Sequence, residues 1–284
     1  MKLFKKVYVE ITNLCNLSCS FCPGTSRPQT FMAPDTFALL LTKLTGKTRT
    51  LYFHLMGEPL LHPQLELLLD MAHDAGFTVN LTTNGTRIAE VGERLLSKPA
   101  LRQINFSLHS RTESEDFEGY VEQVLDFAHK AGEGKLYVSL RLWNLGEDRT
   151  NPDNDWILSH LAASFQLPPE TLNDWDGTSG ILLAPRLYLN QATVFEWPDI
   201  HRSGEISQTG YCLGLRDHLG VQSDGTVVPC CLDAEGQIPL GNLLTASLDE
   251  IIGTPRARAM AEGFSQRILT EELCRKCGYR SRFD

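Results

Sequence analysis

The chain has 284 residues, 42% hydrophobic and 21% charged, a balance that supports a sizeable buried core and excludes a disordered or fibrous protein. Its net charge of −9 argues against nonspecific nucleic-acid binding, which depends on Lys and Arg facing phosphate. Neither a signal-peptide core nor an 18-residue apolar span is present, so a cytoplasmic chain is expected, in which eight cysteines point to metal or catalysis and not to disulfides.

Residues 7–12 alternate and are β-branched, which predicts a first strand. A cysteine loop follows as far as Pro34, and Asp35 is placed to cap a helix over 36–44. A second strand is expected over 51–56, a helix over 63–75 stopped by Gly76, a third strand over 78–82 and a helix over 88–96. Then come a strand over 103–109, a long helix over 115–131, a strand over 136–143 and a helix over 155–165. Residues 167–184 read as irregular, with Pro168 and Pro169, and 186–190 as a sixth strand. Strand and helix alternate through short connections, so the sheet should be α/β and parallel. Beyond Tyr211 the chain becomes cysteine-rich, with one short helix expected over 248–252.

Three cysteines, Cys15, Cys19 and Cys22, stand at C-x3-C-x2-C behind the first strand. Three thiolates hold three irons of a [4Fe–4S] cube and leave the fourth open, whereas electron-transfer clusters normally take four cysteines. With Phe21 before the last cysteine, the motif resembles that of the radical S-adenosylmethionine (SAM) superfamily. The resemblance implies a partial (β/α)6 TIM-like barrel with its chemistry at the C-terminal ends of the strands. SAM would chelate the open iron, and its reductive cleavage would give a 5′-deoxyadenosyl radical that abstracts hydrogen from substrate. Gly57-Glu58-Pro59 matches the second half of the family's Gly-Gly-Glu-Pro turn, where the Glu receives the SAM amino group; Met56 stands where the family often has Gly. The resemblance further implies that Thr83, Asn84, Ser107 and Arg141, at later strand ends, meet the ribose and carboxylate of SAM. Arg141 is also the candidate catalytic residue.

Cys212, Cys230, Cys231, Cys274 and Cys277 form a second constellation. It resembles the SPASM and shortened twitch lobes of radical SAM enzymes, closest in spacing to the twitch lobe of the aminocyclitol dehydrogenases. That implies one auxiliary [4Fe–4S] cluster on Cys212, Cys230, Cys274 and Cys277, with Cys231 as the alternate to its neighbour; a four-cysteine zinc ribbon is the rival. The expected organisation is a core barrel over 1–190, a linker over 191–211 and an auxiliary lobe over 212–284. The expected function is oxidation of a small polyol-like molecule or a peptide, the auxiliary cluster accepting an electron and a flavodoxin or ferredoxin supplying the first one. RNA modification and a non-catalytic iron–sulfur or zinc protein are the alternatives. His54, His62 and His109 lie near strand ends as possible acids or bases, and Gly46-Lys47-Thr48 fails as a P-loop because Leu41 replaces its first Gly.

Overall fold

The computed structural model describes residues 3–110, 116–173, 180–203 and 207–283. In chain order the elements are β1 (Lys6–Val9), α1 (Pro34–Leu44), β2 (Thr50–Phe53), α2 (Leu65–Asp74), β3 (Thr78–Thr83), α3 (Ile88–Leu96), β4 (Leu101–Ser107), α4 (Phe117–Gly132) and β5 (Tyr137–Leu145). They continue as α5 (Asp155–Ser164), α6 (Pro169–Asn173), β6 (Ile181–Ala184), β7 (Leu187–Thr193), β8 (His218–Val221), β9 (Thr226–Val228), β10 (Gly241–Asn242), α7 (Leu248–Ile252), α8 (Pro255–Ser265) and α9 (Glu272–Arg275). The α/β alternation and the largely parallel pairing are those expected. The chain divides into two compact units, Met1–Val79 with Phe195–Asp284, and Asn80–Val194.

In the first unit the strand order is β10–β9–β8–β1–β2. Both β2 and β8 run parallel to β1, while β9 and β10 are antiparallel additions. One face of this sheet is a dry core: Val7, Val9, Leu51, Phe53, Leu219 and Val221 are all fully buried, and Phe37 of α1 packs edge-on against Phe53 at 5.6 Å. The other face carries Lys6, Tyr8, Tyr52, His54 and His218, with Tyr8 at the centre of edge contacts to His54 and His218.

In the second unit the order is β4–β5–β7–β6, with β4, β5 and β7 parallel and β6 antiparallel. Asp116 caps α4 by accepting from the Gly119 amide at 2.9 Å, and Phe127 of that helix packs against Phe106 of β4.

Several boundaries differ from expectation for local reasons. Helix α1 begins at Pro34, with Ala33 as an N-cap that makes no side-chain bond; Asp35 sits inside the first turn, where a carboxylate meets the positive end of the helix. β1 ends at Val9, where the Glu10 amide still bonds to the Val221 carbonyl but Thr12 turns to pair with Phe31. The stretch expected to be irregular contains α6 and β6, the latter paired with β7. Glu115, the expected start of the long helix, lies outside the described residues. Gly76 does stop α2, in a left-handed conformation with φ +79°. Among the described residues no helix is long and apolar enough to cross a membrane.

Candidate functional site

The cysteine loop is a closed excursion with a stitched stem. The Asn13 side chain donates to the Pro28 carbonyl at 2.9 Å and accepts from the Thr30 amide at 2.8 Å. The Thr12 hydroxyl donates to the Thr30 carbonyl and accepts from the Leu14 amide. Above this stem Cys15 and Cys22 are exposed, Cys19 is partly buried, and the Cys22 amide turns back onto the Cys19 carbonyl at 3.0 Å. Phe21 is exposed on the same loop.

The Gly57-Glu58-Pro59 turn docks on the chain leading into that loop. The Glu58 amide donates to the Leu14 carbonyl at 2.6 Å. Gly57 has φ +78°, and a Cβ there would fall 2.4 Å from the Thr12 carbonyl oxygen, so only glycine permits this approach. Glu58 is 2% exposed, and its carboxylate accepts from the Leu60 amide at 2.9 Å, capping the tight turn Pro59–Leu61. A buried carboxylate is thereby fixed beside the cysteine loop, a placement suited to an ammonium ligand. His62 is occupied structurally: its Nδ1 accepts from the Gln64 amide, its Nε2 donates to the Met32 carbonyl, and burial lowers its pKa, keeping it neutral. Lys47, from the rejected P-loop, pairs with Asp249 of α7.

In the second unit Thr83, Asn84 and Ser107 stand at the C-terminal ends of β3 and β4, whereas Arg141 lies in the middle of β5, which runs on to Leu145. Thr83 and Asn84 close β3 through short-range bonds: the Thr83 hydroxyl accepts from the Gly85 amide, and Asn84 Oδ1 from the amide and hydroxyl of Thr86. The Asn84 carbonyl accepts from the Tyr120 hydroxyl. Ser107 and Arg141 are register partners on β4 and β5, and the Arg141 guanidinium lies 4.6 Å from the centre of the Trp143 ring. His109 donates from Nδ1 to the Arg141 carbonyl at 3.1 Å, and burial lowers its pKa to about 4, so it serves as a neutral brace.

The C-terminal thiols gather in the first unit. Burial first, and then Cys231, Cys212, Cys274 and Cys277 in turn, push the Cys230 thiol well up. Cys274 is raised in the same way by burial, Cys212 and Cys277. Burial also raises Cys212 and Cys277, but amides soften the effect, those of Gly214 and Leu213 at Cys212 and those of Arg280 and Tyr279 at Cys277. The four thiols have the donor chemistry of an iron–sulfur site, whose metal charge would deprotonate them, although among the described residues no three or more such side chains are gathered as metal ligands. Cys231 differs. Burial pushes it up to about 11, and its sulfur accepts a hydrogen bond from the Tyr8 hydroxyl. It also packs against the apolar group of Leu55, Met56, Val228 and Ala234. Cys231 thus differs from Cys230 in its Tyr8 hydrogen bond, while both thiols are raised by Cys212.

One residue of consequence is absent from the sequence reading. Glu10 is fully buried and its carboxylate accepts five hydrogen bonds: a fork from Arg27 at 2.8 and 2.6 Å, the Ser223 amide and hydroxyl at 3.2 and 3.1 Å, and the Met56 amide at 3.3 Å. A lone acid continuing the alternation of an apolar strand was the available signal.

Cysteine loop, docked carboxylate turn and thiol-rich C-terminal segment together define an iron–sulfur enzyme of the radical SAM type. Residues 9–146 match the radical SAM superfamily and residues 212–278 the SPASM iron–sulfur cluster-binding domain; the chain belongs to this superfamily and carries that domain. Its cofactors are accordingly SAM, a SAM-binding [4Fe–4S] cluster and auxiliary iron–sulfur.

Among curated proteins the chain is similar to the S-adenosyl-L-methionine-dependent 2-deoxy-scyllo-inosamine dehydrogenase of Niallia circulans, 27% identical over 130 residues, 43% of this chain and 52% of that protein. Two further relatives are matched over only 30% and 33% of their own length. In fold the chain resembles the crystal structure of BtrN in complex with AdoMet and 2-DOIA, at TM-score 0.63 and 17% identity, covering 97% of this chain and 93% of that one. It also resembles Streptococcus suis SuiB bound to precursor peptide SuiA, at TM-score 0.61 and 14% identity, covering 98% and 70%.

Proposed function

We propose that this enzyme oxidises a small polyol-like molecule, with its auxiliary cluster as the electron acceptor. The observation that carries the reading is the placement of Cys212, Cys230, Cys274 and Cys277 within residues 212–278, the segment that matches an iron–sulfur cluster-binding domain, where burial and the other three thiols raise that of Cys230. Four protein ligands saturate a [4Fe–4S] cluster and leave no iron for substrate, which suits electron transfer. The similarity to an aminocyclitol dehydrogenase supports the substrate class, and the acidic balance weighs against RNA. A peptide is the rival, favoured by the likeness to SuiB.

In this reading Cys15, Cys19 and Cys22 hold the SAM-binding cluster, and Glu58 receives the SAM ammonium. Thr83, Asn84, Ser107 and Arg141 are assigned to its ribose and carboxylate, and a flavodoxin- or ferredoxin-like protein is the reductant. Once loaded, the cofactors supply the hydrogen-abstracting 5′-deoxyadenosyl radical; the chain's own residues bind and orient SAM. The test is to incubate anaerobic, reduced, reconstituted protein with SAM, with and without aminocyclitols. Formation of 5′-deoxyadenosine and of one ketone per SAM consumed is expected. Cleavage stimulated by peptides and not by polyols would overturn the substrate class.

Glu58→Gln is expected to weaken SAM binding by about 1.5–3 kcal/mol, the worth of a hydrogen bond to a charged group. The amide still accepts from Leu60 in this variant, so iron content and fold should hold. Calorimetric titration with SAM is the measurement, and an unchanged affinity would make Glu58 a turn cap alone.

A further inference from the structure

The end of the cysteine loop is tied down far more firmly than a surface excursion needs to be. Beyond Cys22, Arg27 forks onto Glu10 and donates from Nε to the Ala234 carbonyl at 2.9 Å. The Ser26 amide and hydroxyl both bond to the Glu235 carboxylate, at 2.7 and 2.8 Å. Ala234 and Glu235 belong to the SPASM domain and follow Cys230 and Cys231 by a few residues. Glu10 itself accepts from Ser223 of that domain and from Met56, which leads into the Gly57-Glu58 turn. One fully buried carboxylate therefore touches the cysteine loop, the approach to the carboxylate turn and the SPASM domain.

The cost of burying that charge makes the arrangement selective. A carboxylate with no exposure is tolerated only when its lone pairs are filled, and here a planar guanidinium and three further donors fill them. If the loop, the turn or the domain shifts, a buried charge loses partners. Glu235 adds a second bond set at the rim: burial would raise its pKa, yet the bonds from Ser26 and Thr25 and the Arg27 charge hold it below the usual carboxylate range.

We infer that Glu10 is a positioning residue that locks the loop of Cys15, Cys19 and Cys22 to the Gly57-Glu58 turn and to the SPASM domain, so that SAM affinity depends on contacts made by a domain that holds the other cluster. The inference rests on the assignment of that loop and turn to SAM. It requires no direct contact of Glu10 with SAM. Groups that hydrogen-bond to metal ligands and orient them typically change metal affinity or activity by about 10–100-fold when removed, and Glu10, one step further out, is expected at the lower end of that scale.

The experiment is a SAM titration of the reduced, fully reconstituted protein, followed by the change that SAM produces in the paramagnetic resonance spectrum of the loop cluster. The wild type reports on the assignment itself: without a SAM-dependent change, the functional reading fails. Given that change, Glu10→Gln should weaken SAM by about tenfold and broaden the loop-cluster signal at temperatures where circular dichroism shows a folded chain. A merely structural Glu10 would lower the melting temperature and leave the folded protein's SAM affinity and spectrum as in the wild type; that result overturns the proposal. Should Glu10→Gln fail to fold, Glu235→Ala carries the test, because it removes only the rim bonds from Ser26 and Thr25 and leaves Glu10 with its partners. A several-fold loss of SAM affinity is expected from this SPASM-domain substitution, and wild-type affinity would overturn the lock between domain and loop.

Discussion

Alanine at Cys15, Cys19 or Cys22 is expected to abolish 5′-deoxyadenosine formation while leaving the fold in place. The three side chains stand on a loop whose stem is closed by Thr12 and Asn13, and the fully buried core lies in the strands beneath it. Losing one thiol leaves two protein ligands for a cluster that already has one open iron, so the cluster is lost or cannot be held in place for SAM. None of the three thiols fills core space, since two are exposed and the third is only partly buried. Far-UV circular dichroism should therefore match the wild type. Chromatographic quantification of 5′-deoxyadenosine checks the outcome, and a variant that still makes it at the wild-type rate removes that cysteine from the ligand set.

The second large effect concerns the auxiliary thiols. Cys277→Ala should lower iron from about eight atoms per chain toward four, two cubes being reduced to one. It should also destabilise the C-terminal domain, because metal binding there is part of folding. Protein that remains folded should still cleave SAM slowly without substrate and yet fail to oxidise substrate. Cys230→Ala should show the same iron loss. Cys231→Ala should not, since its sulfur is engaged by Tyr8 and an apolar group. Iron loss in Cys231→Ala alone would exchange the two roles, and zinc in place of the second set of irons would end the redox assignment.

The elements most legible in the sequence were those whose signals are local. Helices α3 and α7 fall on the expected residues because apolar spacing fixes the first, and a capping box of Ser247 and Glu250 fixes the start of the second. Helix α8 had a comparable signal in Thr254-Pro255, an N-cap followed by a proline at the first helical position, but its weakly apolar face hid it. What local pattern could not reveal was pairing over distance. Strand β8 is short and contains Gly220, and its partner β1 lies more than two hundred residues earlier. Glu10 is unreadable for the same reason, since Ser223 is 213 residues away. The proposed preference for Cys230 over Cys231 draws on the Tyr8 hydroxyl, which adjacent positions in a sequence cannot supply.

The parallel pairing of β8 with β1 bears on how such an enzyme can be rearranged. Auxiliary domains invite treatment as cassettes, to be exchanged between enzymes or expressed alone. Here the cassette also donates the strand that covers one edge of β1, through a register running from Lys6–His218 to Val9–Val221. Cutting the chain between the cysteine loop's strand and the SPASM segment would strip that edge and leave its amides and carbonyls open to another chain. A chimera would have to carry strand β8 with whichever half owns β1, or bring a replacement strand of matching register. The joint between the parts of this enzyme is therefore woven, and recombination would have to respect the weave.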